Sequence, residues 1–120
     1  MKKKILIIDD APEIVTLLED LMEAHGYQAV SAPDAEQGLS KLLREKPDLV
    51  LLDLMLPGMD GFEFCKKIRK DGNNIPVIAV TVLKDEANHK RGEEAGMNDY
   101  VAKPFDPADL MQRIKKWISQ

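Results

Sequence analysis

Five polar residues each follow a short apolar run, which is where parallel strands place chemically active side chains. They are Asp9, Asp10, Asp53, Thr81 and Lys103. Open parallel sheets bind ligands at the carboxyl ends of their strands, so we expect these five side chains to converge on one edge. Three carboxylates brought together repel one another, and each resists ionisation unless a cation is present. The spacing therefore predicts a cation site.

The donor types indicate which cation and which chemistry. Oxygen ligands without His or Cys suit a hard divalent ion, and Mg²⁺ with several retained waters fits best. Such an ion suits phosphoryl transfer, in which it neutralises phosphate oxygens. Lys103 supplies a positive charge and Thr81 a hydrogen-bond donor for the phosphoryl oxygens. Asp53 ends the most apolar run and is the best candidate for a nucleophile that forms an aspartyl phosphate, with Asp9 and Asp10 holding the metal.

The elements that position these residues alternate between short apolar runs and amphipathic stretches. The runs lie at residues 5–8, 28–31, 49–52, 77–80 and 100–102. Three runs are apolar throughout, as in a parallel sheet covered by helices on both faces. Each gap has room for one helix. We therefore predict an α/β fold of type (βα)5, with a doubly wound five-stranded parallel sheet in the flavodoxin-like order 2-1-3-4-5.

Four of the five helical stretches have an apolar stripe at helical spacing. Pro12 opens the first, Asp34 caps the second, the third spans about 61–70, and the last opens at Asp106-Pro107. The residues expected to face inward are Ile14, Leu17, Leu18, Leu21 and Met22, then Leu39, Leu42 and Leu43, then Phe64, Cys65 and Ile68, and finally Leu110, Met111, Ile114, Trp117 and Ile118.

The fourth helical stretch, about residues 84–96, has little to bury. Ala87 and Ala95 are its only apolar residues before the end, and Gly92 interrupts it. A helix with so small an apolar stripe should be marginal and mobile, so we expect it to be a moving part.

Composition limits the class of protein. The 120 residues include 17 Lys and Arg against 21 Asp and Glu, a formal charge of −4. This acidic balance argues against nucleic acid as a direct partner, because phosphate binding needs a basic excess. The single cysteine, Cys65, excludes an internal disulfide and suits a reducing cytosol, and no apolar stretch is long enough for membrane insertion. We expect a cytoplasmic protein, with Lys2, Lys3 and Lys4 solvated and both His25 and His89 exposed without a carboxylate partner.

Four motifs, in this order, resemble the receiver domains of two-component response regulators, and especially the single-domain chemotaxis regulators. They are Ile7-Ile8-Asp9-Asp10, the segment 48–61 around Asp53, Thr81, and Tyr100-Val101-Ala102-Lys103-Pro104-Phe105. The resemblance covers essentially the whole chain and implies one receiver domain over residues 1–120. Because the sequence stops two residues after the last apolar helical position, we expect no output domain to be attached.

This resemblance implies roles for the site residues. Asp53 would accept a phosphoryl group from the phosphohistidine of a sensor histidine kinase or a phosphotransfer protein. Asp9, Asp10, Asp53 and the backbone carbonyl of Met55 would hold Mg²⁺, and the Lys103-Pro104 bond would be cis. The protein would catalyse only its own phosphorylation and dephosphorylation, and so would not be an enzyme acting on an external substrate.

The resemblance also implies a switch. Thr81 would move toward the phosphoryl group and the Tyr100 ring would turn inward, which changes the face made by the fourth helix, fifth strand and fifth helix. A downstream effector protein would bind that face. Val82 departs from the family, which usually has Ala or Gly there, and Met55 and Leu83 are also apolar. We therefore predict slow loss of the phosphoryl group.

Three other functions have to be compared with this one. A flavin-binding module could share the fold, but Asp9-Asp10 would repel the flavin phosphate. An aspartate-nucleophile phosphatase would need a carboxylate two residues after Asp53, where this chain has Met55. The serious alternative is a receiver-like scaffold that is never phosphorylated and only binds protein.

Overall fold

The computed structural model describes residues 2–118 as five parallel strands alternating with five helices. The strands lie in the order β2-β1-β3-β4-β5, so the predicted flavodoxin-like topology is confirmed. No helix among the described residues is long and apolar enough to cross a membrane. In chain order the elements are β1 (Lys4–Ile8), α1 (Pro12–Ala24), β2 (Gln28–Ala32), α2 (Ala35–Glu45), β3 (Leu49–Leu52), α3 (Gly61–Lys70), β4 (Val77–Thr81), α4 (Glu86–Ala95), β5 (Asp99–Ala102) and α5 (Pro107–Ile118).

The sheet separates two apolar clusters, one on each face, because alternate strand residues point to opposite sides. Leu6 and Ile8 of β1 belong to the cluster under α2 and α3, whereas Ile5 and Ile7 pack toward α1 and α5. All four residues of β3 are buried, which confirms its expected central position. The register pairs Ile8 with Leu52, so β1 and β3 end at the same level.

Local sequence signals set the ends of α2 and α3. The Asp34 side chain accepts a hydrogen bond from the Gln37 amide at 2.8 Å. Asp60 caps α3 in the same way, and the Glu63 carboxylate accepts a hydrogen bond from the Asp60 amide, which completes a capping box. The third helix spans 61–70, as the sequence predicted.

Two predictions of inward-facing side chains were wrong. Leu43 of α2 is 77% exposed and Leu17 of α1 is 50% exposed. On each helix the adjacent Leu42 or Leu18 takes the inward position. Successive helical residues point about 100° apart, so neighbouring leucines cannot both lie at the centre of a buried stripe.

The fourth helix is as poor in apolar burial as predicted, but it has polar anchors. Ala87 is exposed, and only Gly92 and Ala95 of α4 are buried. At its C-terminal end, Arg69 of α3 donates a hydrogen bond to the Gly96 carbonyl at 3.0 Å. The Arg91 guanidinium lies 4.0 Å above the centre of the Phe62 ring. Charged side chains therefore replace part of the missing apolar contact.

The expectation that all three N-terminal lysines are solvated was wrong for Lys4. Its ammonium group lies 3.1 Å from a carboxylate oxygen of Glu45, and its backbone amide donates to Asp48 at 2.8 Å. Lys4 is the first residue of β1, so these contacts tie the start of that strand to the chain just before β3.

Candidate functional site

The predicted acidic residues meet at one edge of the sheet. Asp9 and Asp53 are buried, whereas Asp10 is exposed. Each of the three offers a carboxylate oxygen, and these oxygens all lie within 4.8 Å of one another. Asp9 directly follows β1 and Asp53 directly follows β3, so the shared register of the two strands places their carboxylates side by side. The predicted convergence is confirmed for these three carboxylates.

Lys103 bridges the two buried carboxylates. Its Nζ lies 2.8 Å from Asp9 Oδ2 and 3.3 Å from Asp53 Oδ2. Its backbone amide donates to the Thr81 carbonyl at 2.7 Å, and the bond to Pro104 is cis, as expected. Burial alone would lower the pKa of Lys103, but the hydrogen bond from its ammonium to Asp9 and the charges of both carboxylates raise that pKa above its ordinary value. The side chain is therefore cationic at neutral pH.

The ionised form of Asp9 is disfavoured in the folded protein. Burial raises the pKa of Asp9, and hydrogen bonds from Lys103 and the Ala11 amide only partly oppose this effect. The nearby Asp53 charge adds a smaller contribution in the same direction. Loss of water contacts therefore matters more here than the mutual repulsion that the sequence suggested, and both effects favour binding of a cation.

Backbone contacts hold Asp53 in place. Its Oδ1 accepts a hydrogen bond from the Met55 amide at 3.1 Å, and its own amide donates to the Ile8 carbonyl at 2.9 Å. Gly61, the first residue of α3, lies so close to this loop that an added Cβ would stand 2.6 Å from the Asp53 carbonyl oxygen. Only glycine allows α3 to begin against the loop that carries Asp53.

The donor set fits a hard divalent cation. The three carboxylates offer oxygen atoms only, and the exposed Asp10 leaves one side of the cluster open to water. Mg²⁺ usually keeps several waters and binds through one or two carboxylates, so an open oxygen cluster of this kind suits it.

Thr81 and Tyr100 are connected through the backbone of one residue, Leu83. The Thr81 Oγ1 atom accepts a hydrogen bond from the Leu83 amide at 3.4 Å. The Tyr100 hydroxyl donates to the Leu83 carbonyl at 2.7 Å. A change at Thr81 therefore has a direct route to Tyr100.

The comparisons with known proteins agree with this geometry. A family model described as response regulator receiver domain matches residues 5–115. The chain belongs to this family.

Individual relatives give the same picture. The chain is 44% identical over 115 residues to the alkaline phosphatase synthesis transcriptional regulatory protein PhoP of Bacillus subtilis, a match that covers 96% of this chain and 48% of PhoP. It is 37% identical to the DNA-binding response regulator MtrA of Mycolicibacterium smegmatis, covering 96% of this chain and 50% of MtrA. This receiver domain thus spans about half the length of the curated relatives it matches.

Solved receiver domains share the fold. The receiver domain of the sensor histidine kinase PA1611 from Pseudomonas aeruginosa superposes with a TM-score of 0.90 at 32% identity, with both chains fully covered. That structure has a magnesium ion coordinated in its active site cleft. Because some relatives are DNA-binding regulators, the comparisons do not support the expectation that nucleic acid is no direct partner.

The rim of the receiver site carries exposed apolar side chains. Val82 is 55% exposed and Met55 is 53% exposed, while Leu83 is half-buried against the apolar cluster beneath α3. These three side chains offer no hydrogen-bonding group to a water molecule at the entrance. Sequence reasoning singled out their side chains but missed the Leu83 backbone, because a backbone contact leaves no trace in residue type.

His89 was also misjudged from the sequence. It is exposed as expected, but its Nδ1 lies 3.3 Å from a carboxylate oxygen of Glu93 and its ring lies against Tyr100. The spacing of four residues between His89 and Glu93 is the signal that could have predicted the pair.

Proposed function

We propose that this receiver domain accepts a phosphoryl group on Asp53 with the help of Mg²⁺ and relays the modification through its α4–β5–α5 face. The observation that carries the proposal is the position of Lys103 Nζ, which contacts both buried carboxylates, Asp9 and Asp53. A cation between two acids at the end of a parallel sheet suits the transfer of an anionic group.

In the proposed reaction an Asp53 carboxylate oxygen attacks phosphorus of a phosphohistidine on a sensor histidine kinase or a phosphotransfer protein. The P–N bond breaks as the P–O bond of the aspartyl phosphate forms, and the imidazole leaves with the electron pair. Mg²⁺, held by Asp9, Asp10, Asp53 and the Met55 carbonyl, would neutralise phosphoryl charge when bound. Lys103 already lies 3.3 Å from the Asp53 carboxylate and would follow the new phosphoryl oxygens.

Thr81 and Tyr100 provide the route from the site to the surface. We propose that the Thr81 hydroxyl turns toward the phosphoryl group and that this change holds the Tyr100 ring inward, in the position where its hydroxyl already donates to the Leu83 carbonyl. The weakly anchored α4 would respond, because few apolar contacts hold it. Couplings of this kind are typically about 1–3 kcal/mol, within reach of a marginal helix.

The partners in this proposal are a sensor histidine kinase or a phosphotransfer protein upstream and an effector protein downstream, in the cytoplasm. The chain would turn over no external substrate, because the modified Asp53 is itself the product. Water would return it to the starting state.

The test is incubation with Mg²⁺ and acetyl phosphate, followed by intact-protein mass spectrometry. We expect a gain of one phosphoryl group in the wild type and none in Asp53→Asn. Asp48→Asn is a matched control, because Asp48 hydrogen-bonds the start of β1 and lies outside the carboxylate cluster. If the wild type gains no mass, the unphosphorylated scaffold is favoured. If Asp53→Asn still gains a phosphoryl group, Asp53 is not the acceptor and the proposal is wrong.

A further inference from the structure

We propose that His89 is a positioning residue for Tyr100, and that its protonation stabilises Tyr100 in the position where its hydroxyl bonds to Leu83. The proposal rests on the proposed switch, since it gives Tyr100 a second, pH-dependent control.

His89 lies between an acid and an aromatic ring. Its Nδ1 is 3.3 Å from Glu93 Oε1, one helical turn further along α4. Its ring centre is 4.9 Å from that of Tyr100, with the two planes tilted by 51°. The same Tyr100 ring closely approaches Gly92, where an added Cβ would lie 3.4 Å from it. One face of α4 therefore forms the outer wall of the Tyr100 position.

Charged groups of α4 and β5 face this histidine. On α4 the groove around His89 is lined by Glu86, Lys90, Glu93 and Glu94, and on β5 by Asp99 and Tyr100. Burial alone would raise the pKa of Asp99, but hydrogen bonds from Trp117, the Tyr100 amide and Arg113 hold that pKa below its ordinary value. Asp99 stays anionic yet engaged by those donors, which leaves Glu93 as the acid that pairs with His89.

The phenol of Tyr100 stays neutral throughout the relevant pH range. Burial raises its pKa, and the charges of Asp85 and Asp53 raise it further. Its hydroxyl proton is therefore always available for the bond to Leu83, and its ring keeps the negative face that attracts cations.

Protonation strengthens both contacts of His89. An imidazolium gains an ion pair with Glu93 and a cation–π attraction to the Tyr100 ring, whereas neutral imidazole has neither. The pair with Glu93 lies within α4 and holds the imidazolium in place, and the attraction to the ring requires Tyr100 to remain beside α4. The ratio of Leu83-bonded Tyr100 to other positions should therefore rise about two- to fivefold when His89 is protonated, which is followed from about pH 7.5 to about pH 5.5.

The test uses the whole chain labelled with 3-fluorotyrosine, read by ¹⁹F NMR across this pH range. The chain has two tyrosines, and Tyr27→Phe assigns the Tyr100 signal. We expect the wild-type signal to shift with pH, His89→Gln to remove the shift, and His89→Arg to hold the acid-form signal at every pH. His25→Gln is the matched control, because His25 is exposed at the end of α1 and its ring Nδ1 lies 3.0 Å from the Leu21 carbonyl; its profile should match the wild type.

A wild-type profile in His89→Gln, or a profile in His89→Arg that still titrates, would overturn the positioning role. Adding Mg²⁺ and acetyl phosphate at about pH 7.5 separates this result from failure of the switch itself. If phosphorylation moves the Tyr100 signal while His89→Gln leaves the pH profile intact, only the His89 proposal fails. If phosphorylation leaves Tyr100 unmoved, the switch fails and the His89 proposal fails with it.

Discussion

Lys103 shows how much one side chain does at the residue scale. Its ammonium contacts Asp9 and Asp53 at once, and it is mostly buried with them. Removing Lys103 would leave two buried carboxylates uncompensated, whereas removing Asp9 alone would leave the ammonium paired with Asp53. The same position suits the proposed chemistry, since a phosphoryl group on Asp53 would bring new anionic oxygens to a cation already in place.

The apolar rim leads to a prediction about the lifetime of the phosphoryl group. An attacking water needs a polar partner to orient it, and Val82 and Leu83 provide none. We expect Val82→Ala and Leu83→Asn together to speed dephosphorylation by up to about tenfold, which corresponds to about 1.4 kcal/mol in the barrier.

The rate is measured as release of inorganic phosphate after acetyl phosphate is removed. Leu43→Asn is the matched control, because Leu43 is an exposed leucine on α2. An unchanged rate in the double variant would show that these side chains do not limit access of water.

At the element scale, α4 is held mainly by contacts that other elements bring to it. Arg69 of α3 donates to the Gly96 carbonyl at 3.0 Å and to Asn98 Oδ1 at 2.9 Å. The same Asn98 oxygen accepts from the Val77 amide, so the end of α4 is linked to the start of β4. The C-terminal end of α4 is therefore fixed, and its N-terminal end has the greater freedom.

Replacement of Arg69 should loosen α4 specifically. Arg69→Met keeps much of the side-chain volume but removes three hydrogen bonds, including one to the Asn73 carbonyl at 2.9 Å. Charge-assisted hydrogen bonds contribute about 1.5–3 kcal/mol each at most, and losses within one network are not additive, so we expect a total cost of roughly 2–3 kcal/mol.

Urea unfolding measures this cost, and amide hydrogen exchange locates it. Exchange should speed up in α4 and the segment that follows it. Lys70→Met, an exposed neighbour on α3, should change neither measurement. Equal exchange in all helices of Arg69→Met would mean that Arg69 stabilises the whole fold and has no special role at α4.

The elements differ in how well the sequence predicted them. Apolar runs bounded by acids predicted β1 and β3 because a buried parallel strand needs apolar residues on both faces. Periodicity could not decide how wide a buried stripe is, so Leu17 and Leu43 were placed wrongly. Periodicity also could not predict the hydrogen bonds of Arg69 and of the Leu83 carbonyl, because long side chains and backbone atoms find their partners only once the chain is folded.

For the whole molecule, the topology concentrates unfavourable charge at one point. Neighbouring strands β1 and β3 end at the same level, and this arrangement brings Asp9 and Asp53 together inside the fold. The two apolar clusters on either side of the sheet stabilise the protein enough to keep that arrangement. In functional sites an unfavourable local arrangement of this kind is commonly offset by stability in the rest of the fold.

Because the buried Asp9 carboxylate costs stability, we predict that Asp9→Asn is more stable than the wild type without Mg²⁺. Burial raises the pKa of Asp9 above its ordinary 3.8, so the folded protein holds that proton more tightly than the unfolded chain does. The ionised carboxylate therefore costs stability at neutral pH, and the cost disappears as the pH falls below 3.8. We expect a gain of roughly 0.5–2 kcal/mol at about pH 7 that vanishes in acid.

Mg²⁺ should make the wild type more stable than Asp9→Asn, which reverses their order of stability without the ion. A ligand that binds only the folded state stabilises it by RT ln(1 + [L]/Kd), about 2.7 kcal/mol at a hundredfold excess over Kd. Asp9→Asn loses one of the three clustered carboxylates and should gain far less.

Urea unfolding with and without Mg²⁺ measures both effects, and Asp10→Asn separates them. Asp10 is exposed, so its replacement should weaken the Mg²⁺ effect without the gain in metal-free stability. If Mg²⁺ stabilises Asp9→Asn as much as the wild type, the ion binds elsewhere and the carboxylate cluster is not its site.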